Sequence, residues 1–195
     1  MSDDDLHGWP KPSKIMAQIN YPQPYGLGGK TIAAWGCPAV ALAEGQRMSG
    51  IRAGATPVTV CERALTYVPA VWAPGQSAAV LAHMAASAGF TVSPAFTVGK
   101  GGLSSKQASL KICDAIDGMG LSPRRGFGWL HVDKDNDGQG DHWVLAIAYD
   151  DDWIYCTDSA PGKITPLDRK TLRGLAVWGK VEKTYQVTRG YLLGV

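Results

Sequence analysis

The seven residues 143–149 are almost all apolar and read Trp-Val-Leu-Ala-Ile-Ala-Tyr. A strand with one face in water alternates polar and apolar residues. An uninterrupted apolar run of this length is instead typical of a strand covered on both faces. The run therefore predicts a central strand, and any fold for this chain must supply a packed layer on each side of it.

Helical signals dominate the chain before this strand, and strand signals dominate after it. Capping Ser or Thr residues, starting prolines and terminal glycines predict helices over residues 38–48, 56–67, 77–88 and 104–117. Alternating or continuous apolar runs predict strands over residues 129–133, 143–149, 153–158 and 183–193, with a short helix or turn over residues 167–172. Helices followed by an antiparallel sheet is the α+β pattern.

The length of 195 residues predicts one domain with a sizeable core. We expect residues 1–20 to form an extended N-terminal segment and residues 21–195 to form the domain. The net charge is +2 and no basic cluster occurs, so the composition gives no argument for nucleic acid or an anionic membrane as a partner.

The N-terminus, Met1-Ser2-Asp3-Asp4-Asp5, is acidic and has no apolar core, so it does not resemble a signal peptide. No apolar run approaches the roughly 20 residues that a membrane helix needs. We expect synthesis in the cytoplasm, with any export occurring through cell lysis or through assembly into a particle such as a virion.

Cys37 differs from the other cysteines in its surroundings. It follows a glycine and precedes a proline, which places it at the start of a predicted helix. The free N–H groups and the dipole at a helix N-terminus favour an anion, and the thiolate is the nucleophilic form of cysteine. The remaining cysteines lie in apolar helix or strand patterns that are typical of small buried hydrophobes: Cys61, Cys113 and Cys156.

His142 and Asp158 complete a pattern for nucleophilic catalysis. His142 stands at the entrance of the central strand, and Asp158 ends the next strand. Because hairpin partners place such ends side by side, the carboxylate can accept a hydrogen bond from the imidazole. In Cys/His catalysis the imidazole takes up and returns a proton while a third group orients it. Each residue alone also has a structural explanation, as a helix start, a strand edge or a turn cap.

The chain resembles the C39-like cysteine peptidases found in bacteriophage and bacterial lysins and tail-associated proteins. The resemblance spans roughly residues 21–192 and rests on short motifs: Tyr21-Pro22-Gln23, Leu27-Gly28-Gly29, Gly36-Cys37, Thr56-Pro57 and His142-Trp143-Val144-Leu145. It implies a papain-like α+β fold with N-terminal helices packed on a C-terminal antiparallel sheet. It also implies that Cys37 is the nucleophile, His142 the base and Asp158 the orienting residue.

The family also uses a glutamine upstream of the cysteine, whose amide donates to the oxyanion. Gln23 matches that position, and Gln18 is the less favoured substitute. This chain departs from the family pattern at Pro24, Pro38 and Ala41. These departures bear mainly on the oxyanion hole, and they leave room for a catalytically silent copy.

The segment between the first two strands has part of the pattern of a calcium loop. Oxygen-bearing side chains stand at loop positions 1, 3, 5, 7 and 9 of this pattern: Asp133, Asp135, Asp137, Gln139 and Asp141. Val144 stands where a calcium loop has its bidentate Glu. The segment is therefore either a partial structural Ca²⁺ site that stiffens the loop before His142 or a solvated hairpin loop.

We therefore expect a C39-like cysteine peptidase or amidase that forms a thioester intermediate and requires no cofactor for its chemistry. By resemblance, its substrate is a peptide such as a peptidoglycan stem peptide or a phage or particle protein. The alternative is a catalytically silent structural or assembly component of a phage tail or virion that retains the same fold.

Overall fold

A computed structural model describes residues 6–25, 29–67, 77–118 and 125–195. The helices in these ranges are α1 (Ile32–Trp35), α2 (Cys37–Ser49), α3 (Pro57–Tyr67), α4 (Ala78–Ser87) and α5 (Ser105–Ile116). The strands are β1 (His7–Gly8), β2 (Thr91–Val92), β3 (Phe96–Thr97), β4 (Phe127–Asp133), β5 (His142–Tyr149), β6 (Trp153–Asp158), β7 (Lys163–Asp168), β8 (Arg173–Trp178) and β9 (Val181–Gly194). None of the described helices is long and apolar enough to cross a membrane.

Six antiparallel strands close into a barrel. Their order is β5-β4-β9-β8-β7-β6, and β6 pairs back onto β5. The short strands lie at the margins, where β1 pairs with β5 and both β2 and β3 pair with β9. This closure contradicts the papain-like α+β fold expected from the sequence, because the strands form a barrel rather than a sheet carrying helices on one face.

The long strand β9 makes the closure possible. Its first half pairs with β8, from Val181 to Gln186, and its second half pairs with β4 as far as Leu193. The register shifts between His131 and Val132, at a β-bulge of the kind that bends strands in barrels. Pairing between distant strands leaves no local sequence signal, which is why the periodicity of the chain could predict strands and not their closure.

The central strand β5 is buried on both faces, as the apolar run predicted. One face lies in the barrel interior, where side chains from all six strands and from α5 form a single cluster that includes Leu130, Val144, Ile154, Leu167, Ala176 and Val187. The other face lies under α2, α3 and α4, where it packs with neighbouring strands in a second cluster that includes Val40, Leu42, Trp129, Leu145 and Tyr191. One face of β5 is therefore covered by the other strands of the barrel, and the opposite face is covered by helices.

The four predicted helices are confirmed with shifts of about one residue at their ends. Ser77 caps α4 and Ser104 forms a capping box with Gln107 at α5, as their positions suggested. The predicted helix or turn over 167–172 is partly wrong, because Leu167 and Asp168 end β7. A turn follows, in which the Asp168 carboxylate accepts N–H groups from the next residues.

The N-terminal segment is tied to the body of the protein by backbone hydrogen bonds. Trp9 N–H donates to the carbonyl of Ile147, and Gln18 N–H donates to the carbonyl of Ser159 at 2.9 Å. Met16 N–H donates to the carboxylate of Glu44 on α2. The segment therefore runs along the outside of β5 and reaches the end of β6.

We expect Ile112→Ala to lower the free energy of unfolding by about 2–5 kcal/mol, because Ile112 is fully buried on the side of α5 that packs with the barrel interior. The matched control is Leu110→Ala on the same helix, whose side chain is 49% exposed. It should cost less than about 0.5 kcal/mol. Urea denaturation measures both values, and equal losses would contradict the placement of α5.

Candidate active site

Cys37 is the first residue of α2, at the junction with the short helix α1. Gly36 joins the two helices, and a Cβ atom on Gly36 would lie only 2.7 Å from the Cα of Ile32. The chain therefore needs glycine there to turn sharply enough. Thr31 caps α1 through a hydrogen bond from Ala34 N–H. These local constraints hold the Cys37 side chain in one place, with 8% of the residue exposed.

His142 and Asp158 lie on adjacent strands and are hydrogen-bonded. His142 Nε2 is 2.8 Å from Asp158 Oδ1, and the two residues are 3% and 0% exposed. Antiparallel pairing of β5 with β6 brings the start of one strand beside the end of the other. The rings of Trp178 and Tyr185 pack near the His142 ring with centroid separations of 5.3 and 5.9 Å.

Four hydrogen bonds hold the buried Asp158 carboxylate. Its Oδ1 accepts from His142 and from the N–H of Ala160 at 3.1 Å. Its Oδ2 accepts from the hydroxyls of Thr165 at 3.0 Å and Tyr185 at 2.7 Å. A buried charge is tolerated only when such partners replace water, so this set keeps Asp158 in an acceptor role.

The geometry leaves His142 Nδ1 to face Cys37, because Nε2 is engaged by Asp158. Burial opposes the charged imidazole, but the thiolate of Cys37 and the carboxylate of Asp158, with hydrogen bonds to both, raise the pKa of His142 to about 10. The imidazole of His142 therefore holds its proton more strongly than a free histidine does. His142 therefore lies between Cys37 and Asp158, which is the spatial arrangement that nucleophilic catalysis by a cysteine requires.

The other cysteines are placed as inert thiols. Burial raises the pKa of Cys61 to about 12 and that of Cys113 to about 11. Burial also raises the pKa of Cys156 well above its ordinary value. These thiols stay protonated at neutral pH, and protonated thiols are poor nucleophiles.

A cavity of about 680 Å³ opens beside Cys37 and His142. Its walls come from the N-terminal segment, α1, the start of α2, α4, the β4–β5 loop, the turn after β6, the ends of β4, β5 and β8, and the middle of β9. They combine aromatic and charged side chains, including Trp35, Trp143, Trp178, His131, Lys134 and Arg189. This volume is large enough for several residues of a peptide or a comparable ligand.

Gln18, rather than Gln23, lies at this cavity. Gln18 is 8% exposed, and its amide Nε2 donates to the carbonyl of Ala33 at 3.1 Å. Its Oε1 accepts from the hydroxyl of Ser159, so the amide group is fixed in orientation. The Gln23 side chain is exposed, and its backbone carbonyl pairs with Ile32 N–H. Motif spacing favoured Gln23, whereas the path of the N-terminal segment brings Gln18 to the cavity that Cys37 also lines.

The Asp-rich segment forms the hairpin loop between β4 and β5, and most of its carboxylates have partners within the protein. Asp133 accepts N–H groups from three residues of its own loop, at 2.7 to 3.0 Å. Asp141 pairs with Lys134 at 2.5 Å, and Asp135 pairs with Lys183 at 2.8 Å. In the described ranges, no three acidic, His or Cys side chains converge as metal ligands would. The calcium site proposed at Asp133, Asp135, Asp137, Gln139 and Asp141 stays a prediction, and four of these residues, all but Gln139, use their carboxylates in bonds that hold the loop before His142.

Three residues of the site have no motif in the sequence. Trp178 and Tyr185 form a chain of hydrogen bonds to Asp158, since Trp178 Nε1 donates to the Tyr185 hydroxyl at 2.8 Å. Arg189 lines the cavity from β9. The alternation of residues 183–193 predicted the strand that carries Tyr185 and Arg189, but only the barrel register shows which face meets the cavity.

The chain matches no known protein-family model, and no curated protein sequence is significantly similar to it. The resemblance to C39-like peptidases therefore rests on the short motifs quoted above.

We expect iodoacetamide to alkylate Cys37 faster than the other three cysteines in the folded protein. The reason is that the pKa of His142 is raised to about 10, so its ring places a positive charge beside Cys37, and a neighbouring cation favours the nucleophilic form of a thiol. In His142→Ala the rate at pH 6 should fall at least about tenfold, because an ordinary thiol is almost fully protonated there. Mass spectrometry of labelled peptides follows each cysteine. Equal labelling of all four cysteines, and only after unfolding, would contradict the assignment of Cys37 as the reactive thiol.

Proposed function

We propose that this protein is a cysteine hydrolase that cleaves a peptide or amide bond through a thioester on Cys37. The observation that carries the proposal is the continuous arrangement of Cys37, His142 and Asp158 at the wall of a cavity. A structural cysteine needs neither a buried histidine beside it nor a carboxylate held by four donors behind that histidine. The order Cys, His, Asp along the chain also supports the proposal, since C39-like peptidases share it.

Acylation begins with the thiolate of Cys37 attacking the carbonyl carbon of the scissile amide. A tetrahedral intermediate forms, with the negative charge on the former carbonyl oxygen. The imidazolium of His142 then donates its Nδ1 proton to the leaving nitrogen as the carbon–nitrogen bond breaks. The products of this half-reaction are a free amine and a thioester on Cys37, with His142 neutral.

Deacylation reverses the roles. Neutral His142 takes a proton from water, and the resulting hydroxide attacks the thioester carbon. The carbon–sulfur bond breaks, the acyl group leaves as a carboxylic acid, and the thiolate–imidazolium pair is restored. Asp158 holds the ring through Nε2 in both steps, so that Nδ1 always faces the reacting atoms.

Gln18 supplies a donor for the oxyanion in this proposal. An amide nitrogen carries two hydrogens, and the carbonyl of Ala33 accepts only one of them. The backbone N–H of Cys37 is a second donor, because it belongs to the first turn of α2, where N–H groups have no partner within the helix. A fixed pair of donors is effective because it needs no reorganisation as charge develops.

Gln18→Ala should lower the rate of turnover by about 10²–10³-fold, which is the usual cost of losing one oxyanion donor. Gln23→Ala is the matched control and should leave turnover within about twofold of the wild type, because its side chain is exposed. Hydrolysis of p-nitrophenyl acetate measures both variants, and iodoacetamide labelling of Cys37 should be unchanged in each. A large loss in Gln23→Ala alone would overturn the assignment of Gln18.

The resemblance to lysin-type peptidases suggests peptidoglycan stem peptides as the substrate class, with a phage or particle protein as the second choice. Purified bacterial cell walls incubated with the wild-type protein should release new free amino groups, and Cys37→Ala should release none. Turnover of p-nitrophenyl acetate without release from walls would reject the peptidoglycan substrate and keep the hydrolase. No acylation of Cys37 by either substrate would favour the silent structural component instead.

A further inference from the structure

We infer that Arg189 binds a carboxylate group of the substrate, so that the hydrolase selects acidic peptides or peptides with a free terminal carboxylate. The inference rests on the proposed function, since it concerns the same cavity. Nothing in the sequence motifs points to Arg189, and it takes no part in the proton transfers described above.

The barrel register fixes the position of Arg189. His131 on β4 is the direct partner of both Arg189 on β9 and Trp143 on β5, so the three residues form one row across three strands. The rings of His131 and Trp143 are stacked with centroids 4.6 Å apart, and the Arg189 guanidinium lies 5.7 Å from the Trp143 ring centroid. All three side chains line the cavity beside His142.

A neutral histidine orients the guanidinium. Burial, then the positive charges of Arg189 and His142, lower the pKa of His131 to about 3. The neutral ring accepts a hydrogen bond at Nδ1 from Arg189 Nε, at 3.0 Å. This contact uses one of the five N–H groups of the guanidinium and leaves both terminal nitrogens as donors. Gly140 allows the close packing, because a Cβ atom there would lie 2.0 Å from His131 Nδ1.

The charge of Arg189 has no acidic partner in the described parts of the chain. None of the ion pairs within 4.0 Å in those ranges includes it. Lys134, the other cation at the cavity, differs in this respect because Asp141 and Asp135 pair with it. A half-buried guanidinium that is held in place and lacks a counter-charge is suited to a carboxylate from outside, which its two terminal nitrogens can bind bidentately.

Titration calorimetry on the full-length Cys37→Ala protein tests the inference without any thiol chemistry. Two probe pairs differ only in charge. Acetyl-Ala-Ala with a free terminal carboxylate is compared with its carboxamide, and acetyl-Ala-Glu carboxamide is compared with acetyl-Ala-Gln carboxamide. We expect the carboxylate member of at least one pair to bind about tenfold more tightly or better, as charge-assisted hydrogen bonds do. The pair that shows the preference identifies a terminal or a side-chain carboxylate.

Adding Arg189→Gln should abolish the preference, and Arg189→Lys should retain part of it through charge alone. Arg173→Gln is the control for net charge, because Arg173 is an exposed residue of β8 whose side chain donates to Gln186 outside the cavity. Thermal melting verifies that each variant is folded. Equal affinities within both pairs, no binding of any probe, or a preference that survives Arg189→Gln would overturn the inference. A reactive Cys37 with no carboxylate preference would reject the role of Arg189 and leave the hydrolase proposal intact. A carboxylate preference with an unreactive Cys37 would support the role of Arg189 and reject the hydrolase.

Discussion

The buried carboxylate of Asp158 joins the architecture of the barrel to the chemistry of the cavity. Its hydrogen-bond donors come from β5, β7, β9 and the turn after β6, so they meet only when these strands are in register. A buried charge that loses a partner costs several kcal/mol, so the carboxylate penalises any slip of these strands. The same carboxylate sets the orientation of His142. The register of these strands and the geometry of the candidate site therefore depend on one group.

Local elements of the fold could be predicted from sequence because their causes are local. Capping residues such as Ser104 and the apolar run of β5 act within a few residues of chain, and the structure has the elements they indicate. The papain-like arrangement was wrong because the pairing of β9 with both β8 and β4 joins segments far apart in sequence. The run of β5 indicates that both faces are covered, and it cannot distinguish a second layer of helices from the interior of a barrel.

In the candidate site too, residues placed by local structure could be predicted from sequence, and residues placed by long-range pairing could not. His142 and Asp158 were found because two strands joined by a short turn place their ends together whatever the rest of the sheet does. The family resemblance predicts Gln23 as the oxyanion donor, because Gln23 matches the glutamine of its Tyr-x-Gln motif. The cavity instead receives Gln18, since the N-terminal segment returns to Ser159 before it enters α1. Arg189 and Tyr185 required the register of β9, which no local pattern contains.

The position of β9 in the barrel has a consequence for the order in which the candidate site is assembled. This strand lies between β4 and β8 and supplies both the Tyr185 hydroxyl that holds Asp158 and the Arg189 wall of the cavity. A nascent chain that has released only the first eight strands has an open sheet, an incompletely bonded Asp158 and a cavity without one side. Because domains fold as units once their chain has emerged, the candidate site is assembled only after β9 has left the ribosome. Under the proposed function, the cavity is incomplete on a nascent chain, and hydrolysis begins only when the whole barrel has closed.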